Sequence, residues 1–178
     1  MPWRNGLGST IELVKHASGD SFKWRLSMAD VAQDGVFSDF SDYDRCLILI
    51  DGAGMTLTDH EGQQWNLSKQ LDVAHFKGED LIKARLHEGP IRDFNLMTRR
   101  QDCRAKVFTS QQQKSQSINL NGDLFLLFSL QGDTRFKLDK HAQGTLLKEQ
   151  HLLQLGLSAA DTCHCHGDAW IAILITDL

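Results

Sequence analysis

Short apolar stretches that alternate or run unbroken for four to seven residues, with little at helical spacing, limit this chain most. "RCLILIDG", "DLIKARLHEG", "DLFLLFSLQG" and "AWIAILITD" all read as strands. In "DLIKARL", Ile82, Ala84 and Leu86 fall on one side and Lys83 and Arg85 on the other, the period of a half-buried strand. In "AWIAILI" both faces are apolar, which places that strand inside the core. "LLKEQHLLQL" can be drawn as a short amphipathic helix, but Gly144 and Gly156 bracket it at strand-like spacing, so it too reads as strand.

Leu47 to Asp59, "LILIDGAGMTLTD", can be laid over Leu126 to Asp139, "LLFSLQGDTRFKLD". Each has an apolar strand, a tight turn at Gly52 or Gly132, and then an alternating strand, which suggests two similar β units. Without helices to cover sheet edges, two such units are best packed as closed or sandwich-like barrels. The expected fold is all-β: two stacked barrels in one compact domain, with lobes at 1–108 and 118–178. The polar stretch "TSQQQKSQS", residues 109–117, would be the connecting loop.

A chain of 178 residues that is 41% hydrophobic can bury a sizeable core. A net charge of -4 and a pI near 6.0 leave no concentrated basic face for phosphate, which argues against a nucleic-acid partner. No apolar run reaches the length of a membrane span, and Met1 leads into Pro2 and Trp3 rather than a basic segment and an apolar h-region, so the chain reads as cytoplasmic. Cys46, Cys103, Cys163 and Cys165 are then expected as free thiols.

"PWRNGLGST" near the start, "WRLSMADVAQDGVFSDF" from Trp24, "DR" at Asp44 and Arg45, "GP" at Gly89 and Pro90, and "DFNLMTRR" from Asp93 together resemble the HutD/Ves family. "DCRAKV" after the last motif is closer to the Ves branch. The resemblance covers nearly the whole chain, with the second half matched more loosely. It implies a bicupin, two cupin-type β-barrels, in agreement with the periodicity. It also implies a link to histidine utilisation or to stress-related proteins, and the family has no established enzymatic activity. The family motif usually reads Pro-Trp-Lys-Asn-Gly-Gly-Gly, whereas here Arg4 stands for the lysine and Leu7 for the middle glycine. Arginine would hold a carboxylate in a bidentate fork where lysine acts as a point charge. Relatives also carry a short strand before the motif on which this chain begins, so that strand is expected to be dispensed with here or to lie upstream.

The indole of Trp3, the guanidinium of Arg4 and the amide of Asn5 are materials of a small polar-ligand pocket, and the resemblance favours that reading over a plain structural turn. Arg25 shares a strand face with Lys23 and Ser27, which is either an outward solvated face or, in a barrel, the mouth. Asp44 and Arg45 stand at the entry to "CLILI", where a surface ion pair would be worth only ~0 to 1 kcal/mol. On "DFNLMTR", Asp93, Asn95 and Met97 share one face and Phe94 and Leu96 the other. If Phe94 and Leu96 fill the core between the sheets, Asp93 and Asn95 face solvent or the cavity, and the family resemblance favours the cavity.

Many cupins hold a metal through a His-x-His pair, a carboxylate and a later histidine, but His60, His75 and His87 stand apart. In "CHCH", Cys163 and Cys165 face one side of a strand while His164 and His166 face the other, so the four cannot converge on one tetrahedral ion. No metal or cofactor is expected. There is no Gly-x-Ser-x-Gly elbow and no phosphate loop. The leading expectation is a non-metal bicupin that binds a small anionic metabolite as a binding or regulatory protein. In that reading Arg4, Arg25 or Arg45 meets the anion, Asn5, Asp93 and Asn95 orient it, and Trp3 and Met97 give apolar walls. The alternative is a metal-independent cupin enzyme, an isomerase or hydrolase of a small acid, with Asp93 or Asp44 as general base. A third class, an interaction module whose apolar strands pair with another subunit, would make the chain a homodimer.

Overall fold

The structure, a computed structural model, describes residues 8–19 and 21–178. The chain divides into two units, Met1–Asp102 and Cys103–Leu178. The first holds β1 (Gly8–Ser18), β2 (Ser21–Val31), β3 (Gly35–Val36), β4 (Tyr43–Asp51), β5 (Met55–Thr58), β6 (Gln64–Leu67), β7 (Val73–Lys77), β8 (Lys83–Leu86) and β9 (Ile91–Arg99). The second holds β10 (Cys103–Thr109), β11 (Ser115–Leu120), β12 (Leu124–Gln131), β13 (Thr134–Leu138), β14 (Thr145–Leu147), β15 (Leu152–Gly156), β16 (Asp161–His166) and β17 (Ala169–Asp177). The described residues form no helix, and hence none long and apolar enough to cross a membrane.

Each unit is a pair of antiparallel sheets. In the first, one sheet runs β1-β2-β9-β4-β7 and the other β3-β8-β5-β6. In the second they run β10-β17-β12-β15 and β11-β16-β13-β14. Among the described residues no ladder joins the two sheets of either unit, so the barrels are sandwiches and not closed by hydrogen bonds. Apolar side chains from both sheets fill the space between them. In the first unit Val31, Leu47, Leu49 and Ile91 meet Met55, Leu57, Leu67 and Ala84. In the second, Phe125, Leu127, Trp170 and Leu174 meet Ile118, Leu120, Cys163 and Cys165.

The repeat read from sequence marks the same feature in both units, although it is not a hairpin. β4 and β5 belong to opposite sheets, as do β12 and β13, so each glycine turns the chain from one sheet to the other. A bulge precedes each corner, between Leu49 and Asp51 in β4 and between Ser129 and Gln131 in β12. Gly52 and Gly132 follow at φ 98° and 68°. A Cβ on Gly52 would lie 2.7 Å from the Pro90 carbonyl oxygen, so this corner needs glycine for space as well as for dihedral angle.

The other strand readings hold with two corrections. β8 exposes Lys83 and Arg85 and buries Ala84, and Ile82 just before it is fully buried. β17 lies between β10 and β12 with Ala169 through Ile175 all buried. "LLKEQHLLQL" is two strand segments, because Gln150 at φ 60° turns the chain from β14 in one sheet to β15 in the other. The expected linker at 109–117 takes in the end of β10, the connection at 110–114 and the first residues of β11, all within the second unit; the unit boundary falls earlier, at Asp102 and Cys103.

Candidate functional site

The polar residues of interest lie on β2, β9 and β4, three neighbouring strands of the first unit's larger sheet. Residues directly opposite in an antiparallel ladder share a face. Arg25, Met97 and Arg45 form one such row across the three strands. Ser27, Asn95 and Leu47 form the next, and Ala29, Asp93 and Leu49 the third. Leu47 and Leu49 are members of the core between the sheets, so this whole face looks inward. The expectation that Phe94 and Leu96 fill that core is therefore corrected. They are fully buried on the opposite face, and the polar side of β9 is the one turned to the interior.

Inside this apolar space the polar groups are deeply held. Asp93 is 2% exposed, Arg45 6% and Asn95 7%. The Arg45 guanidinium carbon stands 5.0 Å from the centroid of Phe76, 5.2 Å from Phe37 and 5.6 Å from Phe40. That of Arg25 lies 5.1 Å from Phe22 and 5.2 Å from the same Phe40 ring, so Phe40 is shared by the two cations. Arg25 Nη2 donates to Met97 Sδ at 3.3 Å, and Arg45 Nη1 to the Ser38 carbonyl at 3.4 Å. Tyr43 closes one side, its hydroxyl donating to the Phe22 carbonyl at 2.8 Å.

Among the described residues no carboxylate makes an ion pair with Arg25 or Arg45. Arg25 Nε, Arg45 Nε, Asp93 Oδ1 and Asn95 Oδ1 are buried without a hydrogen-bond partner among the described residues. Buried polar atoms are ordinarily paired, so four orphans on one inward face are an exception concentrated in one place. The titrations follow the burial. Loss of water brings Arg45 down to about 10, opposed by the charge of Asp93 and helped by Arg25. Burial holds the Asp93 carboxyl up at about 7, against the pull of Arg45 and with a push from Asp30. Arg25 is lowered by burial as well.

The sequence-derived candidates thus separate. Arg25, Arg45, Asp93, Asn95 and Met97 stand on one interior face. Asp44 does not join them. It lies on the other side of β4 from Arg45, 44% exposed, in an ion pair with Arg100 whose Nε stands 3.0 Å from Asp44 Oδ1; no Asp44–Arg45 ion pair forms, and the surface ion pair expected there is corrected. Trp3, Arg4 and Asn5 lie outside the described residues. Missed as site residues were Ser27 and the rings of Phe22, Phe37, Phe40 and Phe76. Ser27 carried a signal, its shared face with Arg25, whereas Phe37 and Phe40 sit in an irregular segment where no period speaks for them.

The second unit offers other surfaces. Cys163 and Cys165 point into its core while His164 and His166 are exposed on the outer side of β16, the alternation read from "CHCH". A groove of about 600 Å³ runs over that outer side, past Ser115, Ser117, Arg135 and Lys137. Its imidazoles are already matched, His166 Nδ1 with Ser115 Oγ at 2.6 Å and His164 Nε2 with Asp139 Oδ1 at 2.8 Å. Among the described residues no three His, Cys, Asp or Glu side chains converge as metal ligands.

Two sandwiches with matching corners and a polar inner face define a protein of the cupin fold. The cupin 2 conserved barrel domain protein from Leptotrichia buccalis superposes at TM-score 0.57 over 96% of this chain and 89% of that one, at 10% identity. More particularly, the chain belongs to the HutD family, whose model matches residues 1–173. The structure of HutD from Pseudomonas fluorescens SBW25 is similar at TM-score 0.85 and 31% identity, covering 100% of this chain and 93% of that one. An uncharacterized 21.2 kDa protein in the hutC 3′ region of Pseudomonas putida is 39% identical over 109 residues, 60% of this chain and 57% of its own length. Protein Ves of Escherichia fergusonii is 41% identical over 108 residues, 59% of this chain and 56% of its own. The match therefore spans little more than half of either curated relative. The two identities differ by too little to put the chain nearer to one branch.

Proposed function

We propose that this chain is a non-enzymatic binding or regulatory protein that takes a small carboxylate in the interior of its first unit, without metal or cofactor, in connection with histidine utilisation or a stress response. One observation carries the reading: two guanidinium groups held among phenylalanine rings, each with its Nε unpaired and with no carboxylate in ion-pair contact among the described residues. A buried cation is costly unless an anion completes it, and a guanidinium matches a carboxylate edge with two donors. Asn95 and Ser27, one row away, orient the ligand, and Met97 with the four phenylalanines keeps water from it. The association with histidine utilisation leans on the names of the relatives, HutD and the protein of the hutC 3′ region.

Calorimetry with glutarate and pentanoate on the parent protein and on Arg25→Met and Arg45→Met tests the site. At least one variant is expected to lose about tenfold in affinity, about 1.4 kcal/mol, while keeping its melting temperature. Parental binding by both variants would remove the site. A second reading has one observation in its favour. Burial brings Asp93 to about 7, the range in which a carboxylate serves as general base, so an isomerase or hydrolase of a small acid would act through Asp93. Asp44, exposed and paired with Arg100, has no part in it. Turnover of a bound acid that Asp93→Asn abolishes without loss of binding would favour the enzyme.

A further inference from the structure

The four orphaned atoms are of two kinds. Among the described residues Arg25 Nε and Arg45 Nε are donors that lack an acceptor, and Asp93 Oδ1 and Asn95 Oδ1 are acceptors that lack a donor. A simple anion answers only the first pair. It would leave two buried oxygens as unsatisfied as before, and one of them belongs to an acid that an incoming anion repels.

The two kinds are also segregated. Arg25 and Arg45 both start from the row of Met97, on the strands either side of it. Asn95 starts one row further along β9 and Asp93 two rows, each row being about 6.6 Å of strand. Cations therefore flank one end of the inward face and acceptors line the next stretch of it. Beyond Asp93 the face becomes wholly apolar, with Ile91 and Val31 in the core cluster.

We propose that the ligand of this site is two-ended: a short acid whose carboxylate meets Arg25 and Arg45 and whose other end carries a hydrogen-bond donor, an ammonium, amide N–H or hydroxyl, that Asn95 and Asp93 accept. The proposal rests on the carboxylate-site reading above and adds the chemistry of the far end. Specificity follows from it. A site built to accept a donor rejects the analogue that lacks one far more strongly than an apolar pocket rejects a lost methylene.

Four five-carbon acids serve as probes, alike in length and different only at the far end: 5-aminopentanoate, glutaramate, pentanoate and glutarate. Titration calorimetry at pH 8 on the parent protein is expected to show 5-aminopentanoate and glutaramate bound at least tenfold more tightly than pentanoate. Glutarate, which brings a second carboxylate to Asp93, is expected to fall below both. Asn95→Leu is expected to bring the ratio of glutaramate to pentanoate to within about threefold while pentanoate still binds, with a melting curve to show that the variant is folded. The ranking on the parent protein stands as a test even if that variant does not fold. Pentanoate or glutarate binding as tightly as the donor-bearing acids overturns the two-ended ligand. If that binding still falls in Arg25→Met or Arg45→Met, the carboxylate site survives without it. No binding by any of the four at about 10 mM overturns both.

Discussion

Asp93→Asn gives the sharpest test of the interior site, because its effect must change with pH in one direction only. Asp93 is fully enclosed, and burial raises its carboxyl from 3.8 to about 7. A group whose folded pKa lies above its unfolded value binds more protons folded than unfolded between the two. Stability therefore falls as pH rises through that window. The carboxyl costs nothing while both states are protonated, below about pH 4. Its penalty then grows by about 1.4 kcal/mol for each pH unit up to 7, and reaches about 4 kcal/mol above that. Asparagine has the shape of the protonated acid and does not titrate.

Parent and Asp93→Asn should accordingly be about equally stable at pH 4, and by pH 8 the variant should be ahead by about 4 kcal/mol. Urea unfolding at half-unit steps from pH 4 to pH 8 reads the difference directly. Other titrating groups, such as His75, which burial also shifts, act in both proteins and cancel in the subtraction. A difference that stays constant with pH, or a variant less stable than the parent at pH 8, would refute the claim that Asp93 is a desolvated carboxyl without an adequate partner. A gain of this size at a deeply buried position would also imply that the acid is kept for something other than stability.

Arg45→Met should leave the melting temperature unchanged or raised, since the burial that brings Arg45 down to about 10 represents about 3 kcal/mol of desolvation that methionine among Phe37, Phe40 and Phe76 avoids. A fall of more than about 6 °C by scanning calorimetry would make Arg45 a structural residue. Gly78→Ala should both destabilise the protein by about 1 to 3 kcal/mol and weaken carboxylate binding, because the new Cβ would fall 1.9 Å from the Phe40 carbonyl and displace the ring that both arginines share. Thermal melts and calorimetry on that one variant check the two effects, and unchanged binding would detach Phe40 from the site. Elemental analysis of protein purified without chelators is expected to find no equivalent of zinc, iron or manganese, given that Cys163 and Cys165 face the core and His164 and His166 face away; one metal per chain would overturn it.

Much of the fold was legible because strand periodicity is a local signal. The alternation in "DLIKARL" and the unbroken apolar run of "AWIAILI" each fixed burial without reference to the rest of the chain. A period of two says which residues share a face but not which face is inside. On β9 both faces are buried, so the alternation alone leaves open which one fills the core between the sheets, and it is the face of Asp93 and Asn95 and not the apolar one of Phe94 and Leu96. Asp44 and Arg45 misled in the same way. Adjacent opposite charges suggest a surface pair, yet neighbours on a strand point apart, and Arg45 goes in while Asp44 stays out. The phenylalanine cage was beyond reach, because Phe37 and Phe40 come from an irregular segment placed only by long-range contacts such as the bond from the Phe40 amide to the Gly78 carbonyl at 2.9 Å.

The two units also supply an internal control for what the fold itself requires. Counting back from the corner glycines, Arg45 and Leu47 of β4 correspond to Phe125 and Leu127 of β12. Leu47 is paired with Asn95, and Leu127 with Ala172. One row nearer the corner, Leu49 is paired with Asp93 and Ser129 with Trp170. Where the second unit has Phe125, Ala172 and Trp170, all buried, the first has Arg45, Asn95 and Asp93. The same corners and bulges form over either set, so an arginine, an amide and an acid are not needed to make this sandwich. Their cost in desolvation falls on one unit alone, and it falls on a single contiguous face with donors at one end and acceptors next to them. A stability device would be expected in both units; a ligand site needs only one.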